Sequence, residues 1–219
     1  MTHAFTIKEA LSYGWKKLSD HFWFLALLTL AFVAVGSLLD HAGTVPGSGI
    51  LSQIMNIILG YFAMFTFVRV GLMIHRGHQK FTWNDIFDFD LGLFGMYAAG
   101  AILFTIAYMI GFLLLVIPGL IVLVRVGLFA FVLVDEKLMP FQAMKKSLHM
   151  TRGRFWHLFG FSIILALINL LGALAFGIGI IITAPFCLLA TVYVYERLKE
   201  HHAHAHAAAP AEHHHAPQS

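Results

Sequence analysis

Long apolar runs, separated by short polar segments, set the pattern of this chain. The longest run covers residues 91–134 and carries Pro118, Gly119 and a single arginine, Arg125. A helix needs about 20 residues to cross a hydrocarbon core of about 30 Å, so this run is too long for one crossing. It predicts a helical hairpin inside a membrane, where helices satisfy their own backbone groups.

The other runs divide by the same criterion. Residues 155–195 again need two crossings, whereas the two earlier runs suffice for one each. The sequence therefore predicts an all-α fold, a polytopic membrane helical bundle in residues 1–199, followed by a disordered polar tail over 200–219. The six predicted spans are residues 22–39, 50–74, 91–111, 113–134, 155–176 and 180–195.

The turn of the central hairpin has two candidate positions. A turn near Gly111 gives two arms of similar length and leaves Pro118 as a kink. A turn at Pro118-Gly119 would instead match the Val-Pro-Gly sequence of the first loop. The sequence places the turn between Gly111 and Gly119 and does not choose further.

Amphipathic segments precede the hairpins. Thr6 and Glu9 have the spacing of a capping box, which predicts a helix start. Apolar residues then recur at helical spacing and predict a short interfacial helix. Those residues are Ile7, Leu11, Trp15 and Leu18.

An internal repeat relates the first and last hairpins. An offset of 133 residues superposes Phe22-Trp23 on Phe155-Trp156 and Ala10 on Ala143. A weaker middle copy begins at Thr82. We therefore predict three helical hairpins, each preceded by a cytoplasmic interfacial helix, arranged as parallel repeats.

Composition and charge fix the class and the orientation. The chain is 59% hydrophobic and 11% charged, with a mean hydropathy of +0.81, which excludes an ordinary soluble domain and gives no support to nucleic-acid binding. All lysines and arginines except Arg69 and Arg125 fall before span one, between spans two and three, between spans four and five, or after span six. By the positive-inside rule, both termini are predicted to be cytoplasmic.

The second half of the chain carries a spaced series of small, polar and aromatic residues. Its members are Pro118-Gly119, Arg125, Asp135, Ala143, Ser147, Thr151, Gly153 and Trp156. The series resembles the six-span membrane domain joined to some glycerophosphodiester phosphodiesterases, and its stand-alone, YciC-like bacterial relatives. The resemblance covers mostly residues 113–170 and implies a multi-pass protein of the bacterial inner membrane. Phosphodiesterase activity does not carry over, because spans, linkers and tail account for the chain and no catalytic domain is attached.

Arg125 is the first candidate for chemistry inside the membrane. An arginine at this depth costs about 2.5 to 3.5 kcal/mol on insertion scales, so it should face the bundle interior or a wet cavity. It could bind an anion or a lipid headgroup, or it could be a structural residue bonded to helix carbonyls. The polar residues available to it within spans are Gln53, Asn56, Tyr108 and Asn169.

Basic residues beside the spans are candidates for lipid headgroup binding. Each such charge near an anionic leaflet contributes about 1 kcal/mol. They are Lys16, Lys17, Lys145, Lys146, Arg152 and Arg154. We expect membrane lipids as partners, and the sequence identifies no protein partner.

The tail is a candidate site for a divalent transition metal. Neutral imidazoles bind such ions, but no fixed ligand geometry is evident from the spacing. The residues concerned are His201, His202, His204, His206, His213, His214 and His215.

These observations favour a non-enzymatic inner-membrane protein that acts as a scaffold or interacts with lipids. The sequence contains no HExxH, Walker A or GxSxG motif, and we expect no cofactor and no catalytic residue. Two alternatives are a small transporter or channel for an anionic solute that uses Arg125, and metal handling by the histidine-rich tail.

The predicted orientation is testable with reporter fusions. A cytoplasm-active reporter fused after Ser219 should be active, and the same reporter inserted within residues 40–49 should be inactive. A periplasmic C-terminus would contradict the orientation.

Overall fold

A computed structural model of the chain describes residues 5–44, 49–77, 90–114, 116–174 and 179–207. Within these residues the chain is helical and contains no strand. In chain order the helices are α1 (Ile7–Asp20), α2 (Phe22–Ala42), α3 (Gly49–His75), α4 (Leu91–Leu114), α5 (Val116–Val126), α6 (Phe129–Glu136), α7 (Pro140–Met150), α8 (Phe155–Leu174) and α9 (Ile180–Ala207).

Among the described residues, six segments are long and apolar enough to cross a membrane. The protein is therefore an integral, multi-pass membrane protein, and the predicted all-α architecture of six spans is confirmed. The six segments are α2, α3, α4, Pro118–Glu136 within α5 and α6, α8, and Ile180–Ala203 within α9.

The central hairpin turns between the two positions that the sequence left open, since α4 ends at Leu114 and α5 begins at Val116. The two candidate glycines instead face each other across the turn. A Cβ atom on Gly111 would lie 3.1 Å from the Cα of Gly119. Each glycine therefore lets the two helices approach closely, which explains why both positions looked like turn signals.

The fourth crossing is broken. The helical bonds stop at Gly127, and a new helix, α6, starts at Phe129 after the break. The sequence predicts a span over residues 113–134 and gives no sign of this break. Every residue of α6 from Phe129 to Val134 is buried, so this short helix lies in the core of the bundle.

Each hairpin contributes one inner and one outer helix. The inner crossings, α3, α5–α6 and α9, are 39% to 56% buried over their most apolar windows, whereas α2, α4 and α8 are 17% to 22% buried. The outer helices thus present most of their apolar side chains to lipid. Three parallel hairpins packed into one bundle would each place one helix inside the bundle and one outside in this way.

The core is concentrated at one end of the bundle, where α3 and α6 finish and α8 begins. We call this the basic end, because it carries Arg76, Lys146, Arg154 and Lys199. The inner helices are tightly packed there, with Val132, Leu133 and Tyr195 fully buried. At the opposite end apolar side chains such as Leu113 are exposed, as expected for residues that face lipid.

The amphipathic helices α1 and α7 add to the core at the basic end. The capping box of α1 is formed as predicted, with Thr6 and Glu9 exchanging side-chain to backbone hydrogen bonds of 3.3 Å. α1 packs along α9, and α7 packs on α5 and α6. The interfacial helix predicted from Thr82 lies outside the described residues.

Small residues let α1 lie against α9. Ala10, Gly14 and Leu18 form its buried face, and a Cβ atom on Gly14 would lie 3.2 Å from the Cβ of Ala190. The equivalent face of α7 in the repeat carries Ala143 and Ser147, both fully buried. The repeat found in the sequence therefore corresponds to two helices that pack through small side chains.

The α1 contact predicts a strong effect of side-chain size at Gly14. Gly14→Leu should lower the free energy of unfolding by about 1 to 3 kcal/mol, because the added atoms have no space against Ala190. Gly95→Ala is the control, since no heavy atom lies within 4 Å of a Cβ there. Thermal unfolding of the detergent-solubilised variants measures both, and equal effects would contradict the packing.

Candidate functional site

A buried carboxylate joins the three inner helices at the basic end. The side chain of Asp135, near the end of α6, is only 1% exposed. Arg76, just after α3, donates to Oδ1 of Asp135, and Lys199 of α9 donates to Oδ2. Tyr195 of α9 donates its hydroxyl to the same Oδ2 at 2.7 Å.

Both oxygens of this carboxylate therefore have donors, so its charge is compensated where water does not reach it. The partners are less buried, because Arg76 and Lys199 keep 49% and 35% of their side-chain surface exposed. We call these four residues the Asp135 network. It links one inner helix from each hairpin at a single point.

A second ion pair lies beside this network. Lys146 of α7 donates to both carboxylate oxygens of Glu136, at 2.7 Å and 2.5 Å. Because Glu136 directly follows Asp135, the two pairs fix α7 and α9 against the end of α6.

Arg125 is bound to the end of α7. Its Nη2 donates to the carbonyl of Leu148 at 3.1 Å, which is one of the last carbonyls of α7, where backbone N–H partners run out. The negative end of the helix dipole also favours a cation at this position. This contact matches the structural alternative considered for Arg125 in the sequence.

The backbone of Arg125 is held from the same helix. The break at Gly127 leaves the Arg125 carbonyl without an intrahelical donor, and the hydroxyl of Ser147 donates to it at 2.8 Å. The hydroxyl of Thr151, the residue that caps α7, lies 3.2 Å from the same carbonyl and donates to the Ser147 carbonyl at 2.8 Å. Both hydroxyl side chains are fully buried. Two members of the spaced series, Ser147 and Thr151, therefore lie where α7 packs against the broken crossing.

The structure does not bring the predicted intramembrane companions to Arg125. Asn56 donates to Asp40 at 2.5 Å, and Gln53 is exposed. Tyr108 lies against Phe104 and Phe112, and Asn169 lies beside Cys187. Within the described residues, these four side chains and Arg125 form no common polar cavity.

Aromatic residues extend the basic end towards α1. The hydroxyl of Tyr13 is hydrogen-bonded to Nδ1 of His75 at 2.9 Å, and its ring lies 5.0 Å from that of Tyr193. The pKa of Tyr13 is raised to about 12. Burial is the largest cause, and the nearby charges of Glu196 and Tyr193 raise it further. Tyr13 is therefore a neutral phenol at physiological pH and adds no charge to this region.

The predicted headgroup residues lie around the basic end. Lys16, Lys145 and Arg152 are exposed, and Lys17 is half-buried. Arg154 contacts Nε2 of His201 at 2.9 Å.

Two of these lysines line a pocket of about 480 Å³ between α7 and the end of α9, here called the basic pocket. Its lining residues are Leu138, Gln142, Lys145, Lys146, His149 and His202.

The histidines of the tail divide between described and undescribed residues. α9 continues to Ala207, so His201 and His202 lie on its last turns, whereas His213, His214 and His215 lie outside the described residues. The side chains of His204 and His206 are likewise not described. No group of three or more histidine, cysteine or acidic side chains is gathered within the described part of the chain.

No protein-family model, no curated protein and no solved structure matches this chain. The resemblance to the phosphodiesterase-linked membrane domain stays a prediction.

Reasoning from the sequence missed the Asp135 network. Asp135 was identified only as a member of a motif and as the end of a span. Its partners Arg76, Tyr195 and Lys199 are about 60 residues away in the chain. The one available signal was an acidic residue at the end of a long apolar run whose single charge is Arg125.

Removing the charge of Asp135 should loosen the basic end. Asp135→Asn should lower the free energy of unfolding by about 2 kcal/mol, because charge-assisted hydrogen bonds are lost and two cations lose their shared anion. Glu200→Gln is the control, since it removes only an exposed pair with Arg197 and should change stability by less than about 0.5 kcal/mol. Thermal unfolding compares the two, and an unchanged midpoint in Asp135→Asn would contradict the role of the network.

Proposed function

We propose that this protein is a non-enzymatic, lipid-interacting scaffold of the bacterial inner membrane, with both termini in the cytoplasm. The observation that carries the proposal is the collar of exposed tryptophan and basic side chains around the basic end. Trp15, Trp23 and Trp156 are 62% to 79% exposed there. Lys16, Lys145 and Arg152 are exposed beside them.

This combination is typical of the boundary between hydrocarbon and headgroups. Tryptophan is enriched at membrane interfaces, where its ring lies among the headgroups and its indole N–H meets water. Lysine and arginine at the same level attract the anionic lipids of the cytoplasmic leaflet. The collar thus supports both the orientation and a preference for anionic lipid.

The packing supports a scaffold. The inner helices, α1 and α7 form a closely packed unit at the basic end, and the Asp135 network fixes one helix of each hairpin to the others. Such a unit holds its surface charges in a constant arrangement on the membrane. No catalytic motif in the sequence suggests a reaction for this surface.

Anion transport through Arg125 receives less support. The guanidinium of Arg125 donates to the Leu148 carbonyl. The other polar residues of the spans make contacts elsewhere, as Asn56 does with Asp40. We therefore do not propose a solute path along this helix.

The proposal predicts that anionic lipid binds through the charge of the collar. Arg152→Gln combined with Arg154→Gln should weaken association with phosphatidylglycerol at least tenfold, since each charge contributes about 1 kcal/mol. Native mass spectrometry of lipids retained by the purified protein measures this. Higher salt should weaken the wild type in the same direction.

The matched control keeps the charges. Arg152→Lys combined with Arg154→Lys should retain lipid like the wild type, because attraction to the leaflet needs charge and not the guanidinium fork. If zwitterionic and anionic lipids are retained equally by the wild type, the proposal is wrong.

A further inference from the structure

We propose that the basic pocket binds the phosphate group of an anionic phospholipid headgroup. This inference rests on the proposed function and assigns to it one specific site. The pocket is built by one face of α7, whose residues Gln142, Lys145, Lys146 and His149 recur at helical spacing. Leu138 and His202 complete its lining.

The lysines give the pocket an excess of positive charge. Lys146 donates to both oxygens of Glu136, which fixes its position and balances one charge. An ammonium group has three donors, so Lys146 keeps one for a ligand. Lys145 is exposed, and no acidic side chain of the described residues pairs with it. Lys145, whose charge is not balanced, and Lys146, which is held in place by Glu136, together suit the binding of a phosphate group.

The remaining lining residues fit a headgroup larger than phosphate. The amide of Gln142 and the imidazole of His149 can donate hydrogen bonds to phosphate or hydroxyl oxygens. The volume of about 480 Å³ lies in the range of small-molecule sites and leaves room for a glycerol or sugar group attached to the phosphate.

The surroundings favour a lipid as the source of this phosphate. Met139 and Phe141 are 63% and 71% exposed at the start of α7, beside the pocket. Exposed apolar side chains on an amphipathic helix are typical of insertion at the headgroup boundary. A lipid could therefore place its headgroup in the pocket while its acyl chains lie against these residues.

The test compares two single charge removals at the same end of the protein. Lys145→Gln lies in the pocket, and Arg152→Gln lies outside it. Retention of phosphatidylglycerol by the purified full-length protein is measured by native mass spectrometry, with and without inorganic phosphate at constant ionic strength. Thermal unfolding in lipid-free detergent with phosphate provides a second measurement and shows that both variants are folded.

The expected result is that phosphate displaces the retained lipid and that Lys145→Gln weakens retention about thirtyfold or more, because it removes a charge-assisted hydrogen bond as well as one charge of the collar. Arg152→Gln should weaken it about fivefold, the effect of one collar charge of about 1 kcal/mol. Equal losses in the two variants would overturn the pocket and leave the collar, and thus the proposed function, intact. If free phosphate stabilises the protein but no phospholipid is retained, the ligand of the pocket is not a lipid. If neither phosphate nor anionic lipid affects the wild type, the pocket and the proposed function both fail.

Discussion

The compensation of one buried carboxylate is the constraint on which the basic end of this molecule depends. Asp135 lies at the end of the only inner crossing that is broken among the described helices, and its charge is out of reach of water. A buried anion is tolerated only with close donors. Arg76, Tyr195 and Lys199 supply them from the other two inner helices, so satisfying one side chain brings all three hairpins together.

The two ends of the bundle are stabilised by different means. At the basic end, burial of α6 and the small-residue faces of α1 and α7 builds a core like that of a soluble protein. Towards the other end the helices expose apolar side chains that only a bilayer can cover. The tightly packed end is also the end with the tryptophan and basic collar, so the surface proposed to meet lipid headgroups lies over the most buried part of the bundle.

The sequence predicted the features that depend on residues close together in the chain. Apolar run lengths predicted six crossings, and the Thr6–Glu9 capping box was formed as expected. The repeat predicted that Ala10 and Ala143 are equivalent, and both lie on buried faces. What the sequence could not supply depends on contacts between distant residues. The break at Gly127 is one example, because glycine within an apolar run does not reveal that the Ser147 hydroxyl of α7 will bond the freed carbonyl of Arg125. The sequence therefore places Arg125 inside a span without showing that the end of α7 lies against it.

Hydrogen–deuterium exchange of the protein reconstituted in nanodiscs tests the central claim most directly, because it locates the effect of lipid along the chain. The account predicts that replacing zwitterionic with anionic lipid slows exchange in α7 and in the last turns of α9, and leaves the residues around Asp40 and Asn56 unchanged. Slowing confined to the region of Asp40 and Asn56, or no slowing in α7, would contradict a lipid-binding surface at the basic end.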